Sequence, residues 1–227
     1  MFVSLKQKLT GWAIAILLFA ALQLNAANEI VLNASGTNNL NVIQNTFYQL
    51  QVSNTISGFN TLWLHTEKGE FVELFGEAYS KSNIVGAPQL PVLSKLIEIP
   101  AGASPEVKVV SYDVKEYKLS DFGITQRLFP TQAPQSKSGT KKEPFAYNQA
   151  LYQTNNFYGE ALARVDVSGY LRSVQLANLV ISPVEYNPVT NTIRVYNNLI
   201  VEVIFVGADK TKTDENKAKT HSPMLCV

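Results

Sequence analysis

Apolar residues recur along the chain at the spacing of short strands. Phe59-Asn-Thr-Leu-Trp-Leu-His65 and Phe71-Val-Glu-Leu-Phe75 are rich in aromatic and branched side chains, and the turn-prone pair Lys68-Gly69 lies between them. That pattern predicts a β-hairpin. Val92 to Ile99 forms another strand-like run, bounded by Pro91 and Pro100. In Pro105 to Leu119, Val107 and Val109 share one parity, whereas Val110, Tyr112 and Val114 share the other. A period of two cannot serve both sets without an inserted residue, so a bulge is expected near Val109–Val110. The plainest alternation is late: Ile193, Val195, Leu199, Val201, Val203 and Phe205 all fall on odd numbers. This reads as one half-buried strand, or as two joined at Asn197–Asn198. Leu176 to Tyr186 is its expected partner across Asn187-Pro188-Val189-Thr190-Asn191, where Pro188 presets the turn and Asn187 can bond forward. Gln149 to Asn155 has room for a single helical turn, and no stretch sustains helical periodicity. The expectation is an all-β chain, an antiparallel β-sandwich with little helix.

The amino-terminal segment differs in kind. Lys6 and Lys8 precede an apolar run from Trp12 to Leu22, and small residues follow at Ala26 and Ala27. This is the pattern of an export signal over residues 1–26, with too few apolar positions for a span of about 20 residues. It implies a chain found in the periplasm, on the cell surface or outside the cell. Residues 27–207 then form the sandwich. Ala208 to Val227, charged and poor in apolar side chains, reads as a polar linker or tail. Thr131 to Lys142, with Pro134, Gly139 and three lysines, reads as an exposed loop.

Composition narrows the chemistry. Of 227 residues, 46% are apolar and 16% charged, which excludes a mainly disordered chain. The formal charge is +1, and two lysines of it lie in the signal, so the body carries 17 basic against 18 acidic residues. Nucleic-acid binding needs clustered cations that such a body does not supply. One cysteine and two histidines leave little for a disulfide or a metal site, and no cofactor is expected. Cys226 and His221 are a nominal nucleophile and base, but both fall in the tail, without a third group to orient them. His65 reads as a rim or core histidine. Ser138-Gly139-Thr140-Lys141-Lys142 lacks the spaced glycines of a phosphate loop and reads as a solvated basic loop. Asp113, Glu116 and Asp121 are scattered by strand geometry, and Asn33-Ala34-Ser35 is a sequon of no particular meaning. By this reading the chain is not an enzyme.

Val85-Gly86-Ala87-Pro88-Gln89-Leu90-Pro91-Val92-Leu93-Ser94, followed at a distance by Ser182-Pro-Val-Glu-Tyr-Asn-Pro-Val-Thr190 and Ile193-Arg-Val-Tyr196, resembles the pro-domain of gingipain-type cysteine peptidases. Pro144-Phe-Ala-Tyr147 and Phe157-Tyr-Gly159 lie between, and the likeness covers roughly Thr66 to Val206. It implies a β-sandwich akin to carbohydrate-binding modules, of jelly-roll type. Gly86, Pro88, Leu90, Pro91, Tyr186, Asn187, Pro188, Thr190 and Tyr196 stand at its motif positions. It also implies a partner, the catalytic domain of such a peptidase, which the pro-domain helps to fold and holds latent. In the family a loop residue enters the peptidase's specificity pocket. Counting back from Pro144-Phe145 brings Lys137 nearest that role, with Lys141 and Lys142 as the other candidates. On this resemblance the chain looks truncated before the catalytic domain. The competing expectation is an exported carbohydrate-binding or adhesion module that presents aromatic side chains to sugars.

Overall fold

Strand segments account for most of the described backbone. The computed structural model describes residues 29–33, 36–135 and 143–220. Its strands are β1 (Glu29–Val31), β2 (Asn39–Asn45), β3 (Gln49–Thr55), β4 (Gly58–Thr66), β5 (Gly69–Phe75), β6 (Ser80–Lys81), β7 (Pro91–Ile99), β8 (Ser104–Lys118), β9 (Arg127–Leu128), β10 (Ala163–Leu171), β11 (Val174–Ile181), β12 (Val184–Asn187) and β13 (Thr192–Val206). The helices are α1 (Gln149–Gln153) and α2 (Lys210–Thr220), with a 3-10 turn at Leu119–Phe122. One sheet runs β1-β4-β5-β9, a second β10-β11-β7-β6, and a third β12-β13-β3-β2, with β8 paired to β13. All these pairs are antiparallel except β5 with the short β9. The β4–β5 hairpin closes at Thr66 and Gly69, as the aromatic runs around Lys68-Gly69 predict. The fold is an all-β sandwich.

The 15-residue β13 serves two cores. Ile193 and Val195 pack with Phe59, Val72, Leu74, Leu128, Tyr152 and Tyr186, against the first sheet. Leu199, Val201, Val203 and Phe205 pack with Leu50, Leu93, Ile99, Leu179 and Ile181, against the second. The junction falls at Asn197–Asn198, where β13 gains one residue against β8. Asn198 takes a positive φ of 48° there, a conformation asparagine tolerates better than most side chains. The Asn197 amide replaces a strand partner: its Oδ1 accepts from the Ile56 N–H at 2.8 Å, and its Nδ2 donates to the Ile56 carbonyl at 2.8 Å. β8 compensates with an extra residue at Val110, between the pairs Val109–Val201 and Ser111–Ile200, so the register is restored on either side. The bulge expected near Val109–Val110 is therefore present. Val107 and Val109 pack on the second core, while Val110, Tyr112 and Val114 are left about half exposed.

Two expectations are corrected. Leu176 to Tyr186 is not one strand: β11 ends at Ile181 and belongs to the second sheet, and only β12 pairs with β13. Ser182-Pro183 makes the break, because Pro183 has no N–H to offer a ladder. Asn187 does bond forward, accepting from the Val189 and Thr190 N–H groups at 3.1 and 3.4 Å. The segment read as a polar tail is helical over Lys210–Thr220. No apolar stripe builds that helix; polar contacts do. Asp209 Oδ1 accepts from the Lys212 N–H at 2.9 Å, Thr213 Oγ1 accepts from the Ala101 N–H at 2.8 Å, and Lys217 pairs with Glu98 at 2.8 Å. Finally, the export signal at 1–26 lies outside the described residues, as do Cys226 and His221. Among the described residues no helix is long and apolar enough to cross a membrane.

Tyr79 packs against both cores, edge-on to Phe59 at 5.7 Å. Its hydroxyl meets the buried Asn54 side chain at 2.8 Å. Burial pushes the Tyr79 phenol up to about 12, opposed by that hydrogen bond. A tyrosine whose folded pKa exceeds its unfolded value of about 10 contributes stability that is present below pH 10 and lost as the pH climbs toward 12. Urea denaturation is expected to show the parent losing stability between pH 9 and 11.5. Tyr79→Phe is expected to be weaker at pH 9 by about 1–3 kcal/mol, since Asn54 loses a buried partner, and to lose less on the way to pH 11.5.

Candidate functional site

The two stems, residues 131–135 and 143–148, meet the sandwich beside the turn that carries Gly86. The Gly86 N–H donates to the Thr131 carbonyl at 2.8 Å, and the Gly86 carbonyl accepts from the Asn148 N–H at 2.9 Å. One residue thus ties both stems of the loop. The Thr131 N–H returns a bond to the Ala87 carbonyl at 2.8 Å, and Pro88 faces Pro130 as an isolated bridge. Gly86 can do this because its φ is +82°, and a Cβ there would stand 3.3 Å from the Asn148 nitrogen. Only glycine adopts that conformation readily.

Above this clamp the stems are joined by a side chain. Gln132 Nε2 donates to the Ala146 carbonyl at 3.0 Å and to the Pro130 carbonyl at 2.7 Å, and its Oε1 accepts from the Ala146 N–H at 2.9 Å. The amide supplies the two contacts a paired strand would supply. Gln135 Oε1 then accepts from the Glu143 N–H at 3.4 Å. Beneath the stems lies an aromatic bed. Phe71 meets Phe129 at 6.0 Å, Phe145 at 5.8 Å and Tyr147 at 6.2 Å, and Tyr147 stacks on Tyr152 at 4.4 Å. The candidates Lys137, Lys141 and Lys142 lie outside the described residues, between the stems at Gln135 and Glu143.

The other motif positions form the support. Leu90 is buried in the first core, and Pro91 opens β7, facing Lys81. Tyr186, fully buried, donates to Asn191 Oδ1 at 2.6 Å and accepts from the Leu128 N–H at 3.4 Å. Tyr152 donates to the Leu128 carbonyl at 2.6 Å, so two tyrosine hydroxyls take both polar groups of Leu128. Burial pushes both phenols well above their usual range. Asn187 is buried, donating to Asn155 Oδ1 at 2.9 Å, and Pro188 is buried beside it. Exposed Thr190 lends its carbonyl to Thr192 Oγ1 at 3.2 Å. Tyr196 donates to Glu185 Oε2 at 3.0 Å, and the same carboxylate pairs with Arg194, which also holds Glu116 and lies 3.7 Å over the Phe157 ring. Those bonds, first to Glu116, raise the Arg194 pKa. Gly159 lets Glu185 approach, since a Cβ would sit 2.6 Å from its Cγ. Gln132 carries no signal in the sequence, and Arg194 shows only as part of the Ile193-Arg-Val-Tyr196 motif, because their partners Ala146, Glu116 and Glu185 lie on other segments.

The remaining candidates assemble no chemistry. His65 is exposed and pairs with Glu70 at 3.1 Å. Asp113 bonds Asn198 and Glu116 bonds Arg194, each serving the β8–β13 ladder. Trp63 packs half-buried on the first core. Among the described residues no group of three or more His, Cys, Asp or Glu is placed to hold a metal ion.

The chain belongs to the C25 propeptide family: residues 59–222 match the family model Propeptide_C25. It is similar to Lys-gingipain HG66 of Porphyromonas gingivalis, with 36% identity over 180 residues, 79% of this chain and 10% of that protein. It is also similar to Gingipain R1 of that organism, with 30% identity over 118 residues, 52% of this chain and 11% of that protein. The chain thus spans about a tenth of the length of these relatives. A solved structure reported as structural insight into zymogenic latency of gingipain K from Porphyromonas gingivalis superimposes with a TM-score of 0.72 at 36% identity, covering 79% of this chain and 98% of that one. In a complex of Porphyromonas gingivalis RgpB pro- and mature domains, a chain shares the fold with a TM-score of 0.63 at 23% identity, covering 76% of this chain and 87% of that one.

Two outcomes test the loop's bracing. Gly86→Ala is expected to cost about 1–3 kcal/mol in urea denaturation, from left-handed strain and the contact at Asn148. Gly123→Ala, with φ +73° and nothing near its would-be Cβ, is expected to cost only the strain, about 1–2 kcal/mol. Gln132→Ala is expected to speed hydrogen exchange at the Ala146 amide while leaving the melting temperature within a few degrees, because the lost bonds are local.

Proposed function

We propose that this chain acts as the pro-domain of an exported gingipain-type cysteine peptidase, assisting the folding of the catalytic domain and holding it latent. The supporting observation is the double clamp at Gly86, which ties the stems ending at Gln135 and Glu143 to one turn. Stems braced before binding give up less entropy on docking, and that favours an insert carried between them. One basic side chain of the loop, Lys137 first by its spacing from Pro144-Phe145 and otherwise Lys141 or Lys142, enters the specificity pocket. A lysine suits that role: its stem packs on the walls while the ammonium reaches an acid at the base. The export signal at 1–26 delivers the precursor across the membrane, and the chain itself hydrolyses no peptide.

Single alanine substitutions at Lys137, Lys141 and Lys142, assayed as inhibition of a C25-type catalytic domain, are expected to show one position losing at least tenfold. Truncating one partner of a desolvated charge pair costs about 2–5 kcal/mol. Three variants that inhibit like the parent would overturn the inserted lysine.

A further inference from the structure

Burial is inverted in the turn that carries Gly86. Ser82 is buried, bonded through its Oγ to the Leu90 N–H at 2.9 Å, and Gly86 to Pro88 are buried. The two branched apolar residues between them, Ile84 and Val85, are 47% and 49% exposed. Turn tips favour glycine, proline and short polar side chains, and nothing in the packing of this turn requires two exposed aliphatics. The turn is rigid: the Ser82 N–H donates to the Leu90 carbonyl at 2.9 Å, the Ala87 N–H to the Ile84 carbonyl at 3.1 Å, and Thr131 Oγ1 to the Ser82 carbonyl at 3.1 Å.

We infer that Ile84 and Val85 form an apolar contact surface for the peptidase catalytic domain, separate from the loop residue that enters its pocket. This rests on the proposed pro-domain role. Position carries the argument. Val85 precedes the residue whose N–H and carbonyl hold the two stems, so the pair flanks the ground from which the loop rises. A body that takes the loop into a pocket must come down over that ground. Half-buried Ala133 and Phe145 and exposed Pro134 add uncharged side chains on the stems, with Glu143 the charged residue among them. A specific interface needs about 800 Å² from each partner, more than one loop tip supplies. Exposed aliphatics on a preorganised turn add area at little cost in ordering.

The test uses the full chain, with the catalytic domain of Lys-gingipain as the probe, read by calorimetry, inhibition and sedimentation. The double variant Ile84→Ser/Val85→Ser is expected to bind at least tenfold more weakly than the parent with an unchanged melting temperature. Tyr170→Ser, which alters an exposed aromatic on β10, is expected to bind like the parent. The double variant's factor is expected to recur in each lysine variant, as independent contacts add. If the serine pair disturbs folding, Ile84→Ala/Val85→Ala gives the same reading. Parent-like binding by a folded double variant overturns the inference and leaves the pro-domain role standing. Loss of self-association without loss of peptidase binding also overturns it, and assigns the turn to a second copy of this chain. A parent that neither binds nor inhibits overturns the role and the inference together.

Discussion

A strand that lines two cores must change what its apolar side chains face without breaking its ladder, and β13 is built around that constraint. Side-chain alternation has a period of two, so one inserted residue turns the alternation over. β13 inserts one at Asn197–Asn198, between the residues that serve the first core and those that serve the second. An insertion in one strand alone would misalign everything beyond it. Val110 in β8 restores the count, and the two strands run in one register from Ser104 to Lys118 on either side of the paired bulges. The backbone left open by the bulge is met by Asn197, whose amide bonds both polar groups of Ile56, in the link from β3 to β4. The first and third sheets are thereby tied where the two cores meet, and the Asn54–Tyr79 pair fills the space beside that joint.

The braced loop grows from the first core. β9 is only two residues long, and it keeps its place because Tyr186 and Tyr152 take the N–H and carbonyl of Leu128, while the Phe129 N–H donates to the Val72 carbonyl at 2.8 Å. Pro130 and Thr131 then meet the Gly86 turn. Anchoring by buried hydroxyls is demanding, since a buried polar group left alone costs far more than a formed bond returns. The site therefore depends on residues from β9, α1, β12 and the 82–90 turn acting together, although no two of those segments are neighbours in sequence.

Local patterns in the sequence were legible where one element's periodicity or turn chemistry decided the outcome. The β4–β5 hairpin, the bulge in β8, the joint at Asn197–Asn198 and the forward bonds of Asn187 all follow from neighbouring residues. Assignments that depend on distant partners were not. Leu176 to Ile181 and Val184 to Asn187 read as one strand because both are apolar, yet Ser182-Pro183 sends them to different sheets. Gln132 looks like any loop glutamine until Ala146, 14 residues on, is brought against it. Helix α2 escaped notice because hydrophobic periodicity is the helix signal, and this helix has none.

That last point has a mechanical consequence. A helix without an apolar stripe gains little from burial, and α2 is held by a hydroxyl, a capping carboxylate and ion pairs such as Lys217–Glu98. Exposed ion pairs weaken as salt rises, and such a segment opens at a fraction of the free energy that unfolds the sandwich. Its 11 residues span about 16 Å as a helix, at about 1.5 Å per residue. Drawn out, at most about 3.3–3.6 Å per residue, they reach up to about 40 Å. The length of this segment is therefore set by a few polar bonds, of which the Lys217–Glu98 pair weakens with salt, and not by the packing of either core.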